Sequence, residues 1–276
     1  MSAIANTVLL ASGGDCSPSD SHAGTSCGFP APSLSDFNLK PIFSIGGVGF
    51  YKPMLLALIC ALLIVWFFWA AFSKPKLVPR GVQNVGELGY LFIRDQIARP
   101  MIGKTGDRFV PFLVSLFFLV WSMNLMEIVP IAQMPVTSFI AFPASLMLMT
   151  YVTYWYQAIK NQGLFGFLKN VVPKGVPWPV LIILVPVEWL RVFLIQPFTL
   201  MVRLFANMFA GHLLLATFTI ATWYLASATF SAIFAAGSAV MVVVLTAFEM
   251  LIQALQAYIF TMLTAQYIGE GVQAAH

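Results

Sequence analysis

The stretch QPFTLMVRLFANMFAGH, residues 196–212, places an arginine, Arg203, in the middle of an apolar run. An arginine side chain keeps its proton in proteins, so Arg203 is a permanent positive charge. Holding that charge at bilayer depth costs about 3 kcal/mol or more, which makes an intramembrane arginine a candidate functional residue. On an ideal helix Asn207 and Gln196 share the face of Arg203, whereas His212 points roughly to the opposite side.

The composition indicates an integral membrane protein. Of the 276 residues, 60% are hydrophobic and 9% are charged, whereas soluble domains are about 25% charged. We expect an all-α polytopic fold without a separate soluble domain of useful size. The excess of 14 Lys and Arg over 10 Asp and Glu includes no basic cluster with interleaved aromatic residues, so we expect no nucleic-acid partner.

Hydropathy divides the chain into an N-terminal tail, residues 1–49, and a membrane domain, residues 50–276. The tail is rich in Ser, Gly and Pro. Five apolar stretches predict five membrane crossings, at about 54–72, 109–130, 139–159, 179–224 and 229–269. The last two are much longer than the roughly 20 residues that span a bilayer, so they predict long, tilted helices lying partly in the membrane plane. Pro186 and Pro197 predict bends in the first of them.

Residues 82–102 have a different pattern, which predicts an amphipathic helix on the membrane surface. Val82, Val85, Leu88 and Leu91 fall on one helical face, together with Phe92 and Ile93. The charged residues between Glu87 and Arg99 fall elsewhere, as a surface helix requires. The alternative is a short helix packed against other protein.

The distribution of basic residues predicts the orientation. Ten of the fourteen Lys and Arg residues lie after the first and third spans, and only Lys40 and Lys52 lie on the other side. By the positive-inside rule, those two loops and the C-terminus are cytoplasmic and the N-terminus is outside. The tail and the lack of a transit peptide favour a bacterial plasma membrane.

Two motifs resemble the a subunit of F-type ATP synthases, of a bacterial, actinobacterial-like type. Pro197 to Gly211 matches the family pattern Pro-x-(Ser/Thr)-Leu-x-x-Arg-Leu-Phe-x-Asn-Met-x-Ala-Gly, and LQAYIF at 255–260 matches Leu-Gln-Ala-(Phe/Tyr)-Ile-Phe. A weaker match is MNLMEIVP at 123–130. The resemblance covers about residues 50–269. It implies the membrane stator of a rotary ATP synthase, against which a ring of c subunits turns.

The resemblance also implies roles and partners. Arg203, helped by Asn207 and Gln196, would attract the ion-binding carboxylate of the c-ring and separate two aqueous half-channels. The partners would be the c-ring, the b subunits of the peripheral stalk and the lipid bilayer. Nucleotide catalysis would belong to other subunits, and no cofactor or metal is expected. The ring sets whether H⁺ or Na⁺ is carried, and the sequence favours H⁺.

A second polar stripe, Glu249, Gln253 and Gln256 followed by Tyr267, interrupts the last apolar stretch. Because buried polar groups need partners, the stripe indicates a hydrated path, although amides also join helices by hydrogen bonds. In the resembling family, the positions of His212 and Glu249 are an imidazole–carboxylate pair beside the outer half-channel. Such a pair can pass protons with the help of water.

Three further charged residues, Glu188, Arg191 and Glu127, fit more than one role. The family often has an acid fourteen residues before its essential Arg; here that position is Trp189, and Glu188 lies one residue earlier. Glu188 is three residues from Arg191, which predicts an ion pair on a helix. Glu127 either polarises the outer vestibule or ends a span at the interface.

Two other functions would also suit an apolar, polytopic chain. A stand-alone channel or secondary transporter predicts an internal substrate site with repeats, and no repeat is evident. A membrane enzyme requires a nucleophile–base or metal motif, which is absent from the sequence.

The tail adds one covalent prediction. Cys16 and Cys27 would close a loop of about ten residues, worth about 2–3 kcal/mol as a disulfide, if the tail lies in an oxidising compartment. The alternative is two free thiols in a mobile tail.

Overall fold

The computed structural model describes residues 43–45, 48–73, 76, 78–129, 132–163, 166–167, 177–226 and 232–273. Cys16 and Cys27 lie outside these residues, so the disulfide stays a prediction. The chain forms two compact units. The smaller unit contains residues 1–51 and 210–252, and the larger contains 52–209 and 253–276.

The described elements are almost all helical. The first helix is α1 (Lys52–Phe72), which is followed by α2 (Val82–Ile93), a π-helical turn (Arg94–Ala98) and α3 (Arg99–Ile102). A 3₁₀ turn (Lys104–Phe109) leads into α4 (Val110–Leu125), and a second one (Val136–Ser138) precedes α5 (Ala141–Gln162). The chain continues with α6 (Trp178–Leu190), a π-helical turn (Arg191–Ile195), α7 (Gln196–Leu225) and α8 (Ala232–Gln273).

Among the residues that the structure describes, four helical segments are long and apolar enough to cross a membrane. They are Lys52–Phe72, Lys104–Leu125, Pro179–Leu225 and Ile233–Val272, and they confirm a polytopic membrane protein. The predicted third span corresponds to α5, which has 22 residues but is not among the four. Its polar residues, including Thr150, Thr153 and Gln157, lower its hydropathy.

The π-helical turn between α6 and α7 lies close to the predicted bends. Pro186 lies inside α6, and Pro197 is the second residue of α7. Because proline lacks an N–H and its ring clashes with the preceding turn, a locally widened helix is one way to accommodate it. The helix therefore continues past both prolines.

The predicted N-terminal tail contains a short hairpin at its end. Phe43–Ile45 (β1) and Val48–Phe50 (β2) pair antiparallel, with Ser44 opposite Gly49. The all-helical prediction omitted these strands, which are too short to show a clear alternation of apolar and polar residues.

The larger unit packs α2 closely against α1 and α4. A β-carbon at Gly86 would meet the Ala71 side chain at 3.0 Å, and one at Gly89 would meet Phe118 at 2.9 Å. Small residues therefore let the helices approach closely. Ile93 is fully buried, whereas Val82, Val85, Leu88, Leu91 and Phe92 are exposed. The predicted apolar face thus exists, apart from Ile93, which belongs to the core.

Charged side chains of this surface segment pair with one another in solvent. Arg94 bonds Asp95 at 2.9 Å, and Arg99 reaches both Asp95 at 3.3 Å and Asp107 at 3.0 Å. The hydrogen bond from Arg94 lowers the pKa of the Asp95 carboxyl below its usual value. These exposed pairs contribute little to stability.

The last part of α8 is buried in the larger unit. The Thr264 and Thr150 hydroxyls are 3.4 Å apart, and the Gln162 amide donates to the Gly271 carbonyl at 3.0 Å. A β-carbon at Gly269 would contact the Met101 carbonyl. These contacts fasten α8 to α5 and to the segment containing α3.

Candidate functional site

Arg203 lies on the exposed side of α7. Leu200, Leu204 and Met208, which are four residues apart, are at most 2% exposed and form the buried side. Arg203 and Asn207 are both exposed. Residues four apart are displaced by about 40° around a helix. The buried side formed by these three residues therefore turns progressively away from Arg203 along α7.

The structure does not link Arg203 to the amides expected to hold it. Gln196 is buried, and its Oε1 accepts no hydrogen bond from a described residue. Arg94, Arg99 and Arg191 form ion pairs with other described residues, and none of these pairs includes Arg203. Among the residues that the structure describes, Arg203 therefore has no carboxylate partner, and its charge is presented outward.

Arg191 is a useful contrast, because it carries the same charge on the same apolar segment. Its Nη2 and Nε donate to the two oxygens of Glu188 at 2.6 and 2.9 Å. This is the predicted ion pair, and it neutralises Arg191 within the chain. A two-point pair of this kind has strict geometry and roughly doubled hydrogen-bond strength.

Within the larger unit, Glu127 and Gln253 form a buried polar contact. The Gln253 amide donates to Glu127 Oε2 at 3.1 Å, although the residues are 126 apart in sequence. Gln253 is 0% and Glu127 is 6% exposed. Glu127 is therefore paired in the interior of the larger unit.

A second buried pair adjoins Glu127 through the chain. The Thr137 hydroxyl donates to the Asn124 side-chain oxygen, and the Glu127 N–H donates to the Asn124 carbonyl at 3.1 Å. Neither Asn124 nor Thr137 was among the predicted site residues. The spacing of Asn124 and Glu127, three residues apart at a helix end, was the signal that could have identified the first of them.

Gln256 and Tyr267 are buried in the larger unit as well. Gln256 is 6% and Tyr267 is 5% exposed. The Tyr267 ring lies 5.7 Å from Tyr151 and 6.3 Å from Tyr154 between ring centroids. The Tyr151 hydroxyl forms no hydrogen bond with any described residue. The aromatic surroundings explain the burial of Tyr267, and that open hydroxyl is compatible with water nearby.

In the smaller unit, Glu249 lies against the α7 backbone at the residue before His212. Glu249 is 6% exposed, and a β-carbon at Gly211 would overlap its carboxylate. Glycine is therefore required here for close approach. The predicted pair, His212 and Glu249, belongs to one unit. Gly211 matches the family pattern in the sequence, and its contact with Glu249 is visible only in the structure.

The same unit holds a second polar contact between α7 and α8. The Thr222 hydroxyl donates to the Ser238 hydroxyl at 3.0 Å, and Ser238 donates to the Phe218 carbonyl at 2.9 Å. These bonds fix the two helices against each other. In the same unit, the close approach at Gly211 brings the Glu249 carboxylate against α7.

We predict that Gly211→Ala displaces the Glu249 carboxylate without preventing assembly. The overlapping atoms are the end of a flexible side chain, so the carboxylate can move at a cost of about 1–3 kcal/mol. Proton translocation should fall while the amount of protein in the membrane stays near normal. Gly237→Ala is the matched control, because no atom lies within 4 Å of its added carbon. Equal activity of the two variants would contradict this role of Gly211.

Known proteins of related sequence identify the family of this chain. Residues 54–269 match the family model described as ATP synthase A chain. The chain is similar to ATP synthase subunit a of Streptomyces lividans, with 51% identity over 93% of this chain and 92% of the relative. It is 42% identical to the Frankia alni subunit, covering 88% and 86% of the two chains. For Rhodococcus erythropolis the identity is 41%, with 87% and 89% covered. The chain belongs to the ATP synthase A chain family.

Proposed function

We propose that this chain is the stator of the membrane sector of a rotary ATP synthase and moves protons between two half-channels and a c-ring. The observation that carries the proposal is Arg203. It is exposed on an apolar membrane helix and has no carboxylate partner among the described residues. A membrane-embedded charge needs compensation, and a carboxylate on a rotor helix passing α7 would supply it.

Arg203 acts as a fixed charge and exchanges no proton. A rotor carboxylate that approaches it is stabilised in its ionised form and releases its proton to one half-channel. Once the carboxylate moves away into lipid, the neutral form is favoured, so it must first take a proton from the other half-channel. The same positive charge repels protons and prevents a direct leak between the two paths. Asn207, one turn away on the same exposed side, faces the ring with it.

Buried polar groups supply the path from the outer side. His212 and Glu249 exchange protons with entering water, since an imidazole and a carboxyl group can each accept and release a proton. Glu127, Gln253 and Gln256 line the path with groups that hydrogen-bond water. Gln196 and Tyr267 complete the lining. Each of these seven residues is buried or half-buried in an otherwise apolar protein, which is what supports the assignment.

This function requires a topology with five crossings. The third crossing is α5, which is the least apolar of the five. The N-terminus is outside and the C-terminus is cytoplasmic, as the basic residues indicate. The last two crossings are tilted so that Arg203 lies near the middle of the bilayer. In a bacterial plasma membrane the chain would contact the c-ring through α7 and the b subunits elsewhere.

A stand-alone transporter is not favoured. It would bind its substrate inside the chain, whereas Arg203 is directed outward.

Affinity purification of the chain from its native membrane is the test of the proposed function. A stator should co-purify with a ring of small hairpin proteins and with peripheral-stalk subunits. Recovery of the chain alone, under detergent conditions that keep a known ATP synthase together, would refute the proposal.

Thiol labelling tests the proposed orientation and the disulfide together. In intact cells an impermeant thiol reagent should reach Cys16 and Cys27 only after reduction, because the tail is outside and oxidised. Cys60 is buried and serves as the unlabelled reference. Labelling without reductant would refute the disulfide, and labelling only after the cytoplasmic side is opened would reverse the orientation.

A further inference from the structure

A groove of about 750 Å³ lies between α1, α2 and α4 of the larger unit. Its walls are mainly apolar and include Ile64, Phe68, Leu91 and Val114, and among the described lining residues Glu87 alone is charged. The hydroxyl of Ser115, also in the lining, is already bonded to the Pro111 carbonyl at 2.9 Å. The groove therefore offers a long apolar surface and a single carboxylate.

Glu87 is only half satisfied by the protein. Its Oε1 accepts a hydrogen bond from the Gln83 amide at 2.7 Å, and its Oε2 accepts none from a described residue. Glu87 is half-buried, and a carboxylate in apolar surroundings is costly unless it is paired. The chemistry that completes it is a cation with N–H donors, such as a primary ammonium group.

Two basic residues lie in the connection that precedes α2. The connection between α1 and α2 carries Lys76 and Arg80, both exposed. The Lys76 backbone is fastened to the Gln83 side chain by two hydrogen bonds, at 3.1 and 3.0 Å. Gln83 therefore joins this basic connection to Glu87. Basic side chains at a membrane surface attract lipid phosphates.

We propose that this groove binds a phospholipid with a primary-amine headgroup. The acyl chain fills the apolar groove beneath α2, the ammonium group pairs with Glu87, and the phosphate lies near Lys76 and Arg80. A surface helix such as α2 leaves acyl-depth space below it that lipid must fill. An apolar transmembrane helix of a partner subunit would leave the Glu87 carboxylate unpaired, and a phosphatidylglycerol headgroup has no cation to offer it. The site is independent of proton translocation.

Photolabelling of the intact complex tests this site. The purified complex would be incubated with phosphatidylethanolamine or phosphatidylglycerol, each carrying a photoreactive acyl chain, and labelled peptides identified by mass spectrometry. We expect phosphatidylethanolamine to label the peptides containing Phe68 and Leu91, and Glu87→Gln to reduce that labelling about fivefold. Ser115→Trp, which fills the groove, should reduce labelling by both lipids. Asp95→Asn, on the exposed part of the same segment, should change neither.

Three outcomes would overturn the proposal. Equal labelling by the two lipids, unchanged in Glu87→Gln, would show an apolar surface without headgroup recognition. Labelling insensitive to Ser115→Trp would place the lipid elsewhere. Labelling that appears only after partner subunits are stripped away would show that a partner helix occupies the groove.

Discussion

Arg203→Ala should abolish ATP-driven proton pumping while the subunit still assembles. The side chain is exposed and makes no ion pair within the described chain, so its removal costs little folding energy. Fixed charges placed where charge develops typically change rates by about 10²–10³-fold, and we expect at least the lower figure. Quenching of a pH-sensitive dye in inverted membrane vesicles measures the pumping.

Two further variants sharpen this prediction. Arg203→Lys should retain a small residual activity, because lysine keeps a charge but loses its proton readily when buried. Arg191→Lys is the matched control on the same apolar segment, since its charge is already neutralised by Glu188, and it should pump at near the wild-type rate. Normal pumping by Arg203→Ala would contradict the role given to this charge.

Exchanging the paired residues, His212→Glu with Glu249→His, should restore pumping that either single change destroys. The Glu249 carboxylate lies against the backbone of Gly211, directly before His212, so a second carboxylate at position 212 would introduce like-charge repulsion there. The exchange returns one acid and one imidazole to the pair. We expect the double variant to exceed the slower single variant about tenfold, an interaction of about 1.4 kcal/mol.

The cycle needs a control for unspecific recovery. His212→Gln combined with Glu249→Gln removes both titratable groups but keeps their size, and it should show no recovery. A double exchange no faster than the slower single variant would show that the two residues work independently.

The sequence was sufficient for the membrane class and for the motif around Arg203, because a charge in an apolar run and helical spacing are both local features. It was insufficient for Gln196. Its seven-residue separation predicts a shared face with Arg203, yet the buried side of α7 winds around the helix and takes Gln196 into the interior. Whether Gln196 is buried depends on how α7 packs against its neighbours, and residue spacing alone cannot predict that packing.

Contacts between residues far apart in the sequence could not be predicted from residue spacing either. Glu127 and Gln253 meet across 126 residues, and the requirement for glycine at position 211 arises from a carboxylate 38 residues later. Each residue could be singled out as polar or small in an apolar context. Their partners depend on how whole helices pack.

Disulfide cross-linking to the rotor tests most directly whether Arg203 faces the c-ring. Asn207→Cys, one turn from Arg203 on the exposed side of α7, should cross-link under mild oxidation to a cysteine placed one turn from the ring carboxylate. Met208→Cys is the matched control, because Met208 is fully buried, and it should form no such bond. A cross-link from position 208 and none from position 207, in a complex that still assembles, would contradict the account.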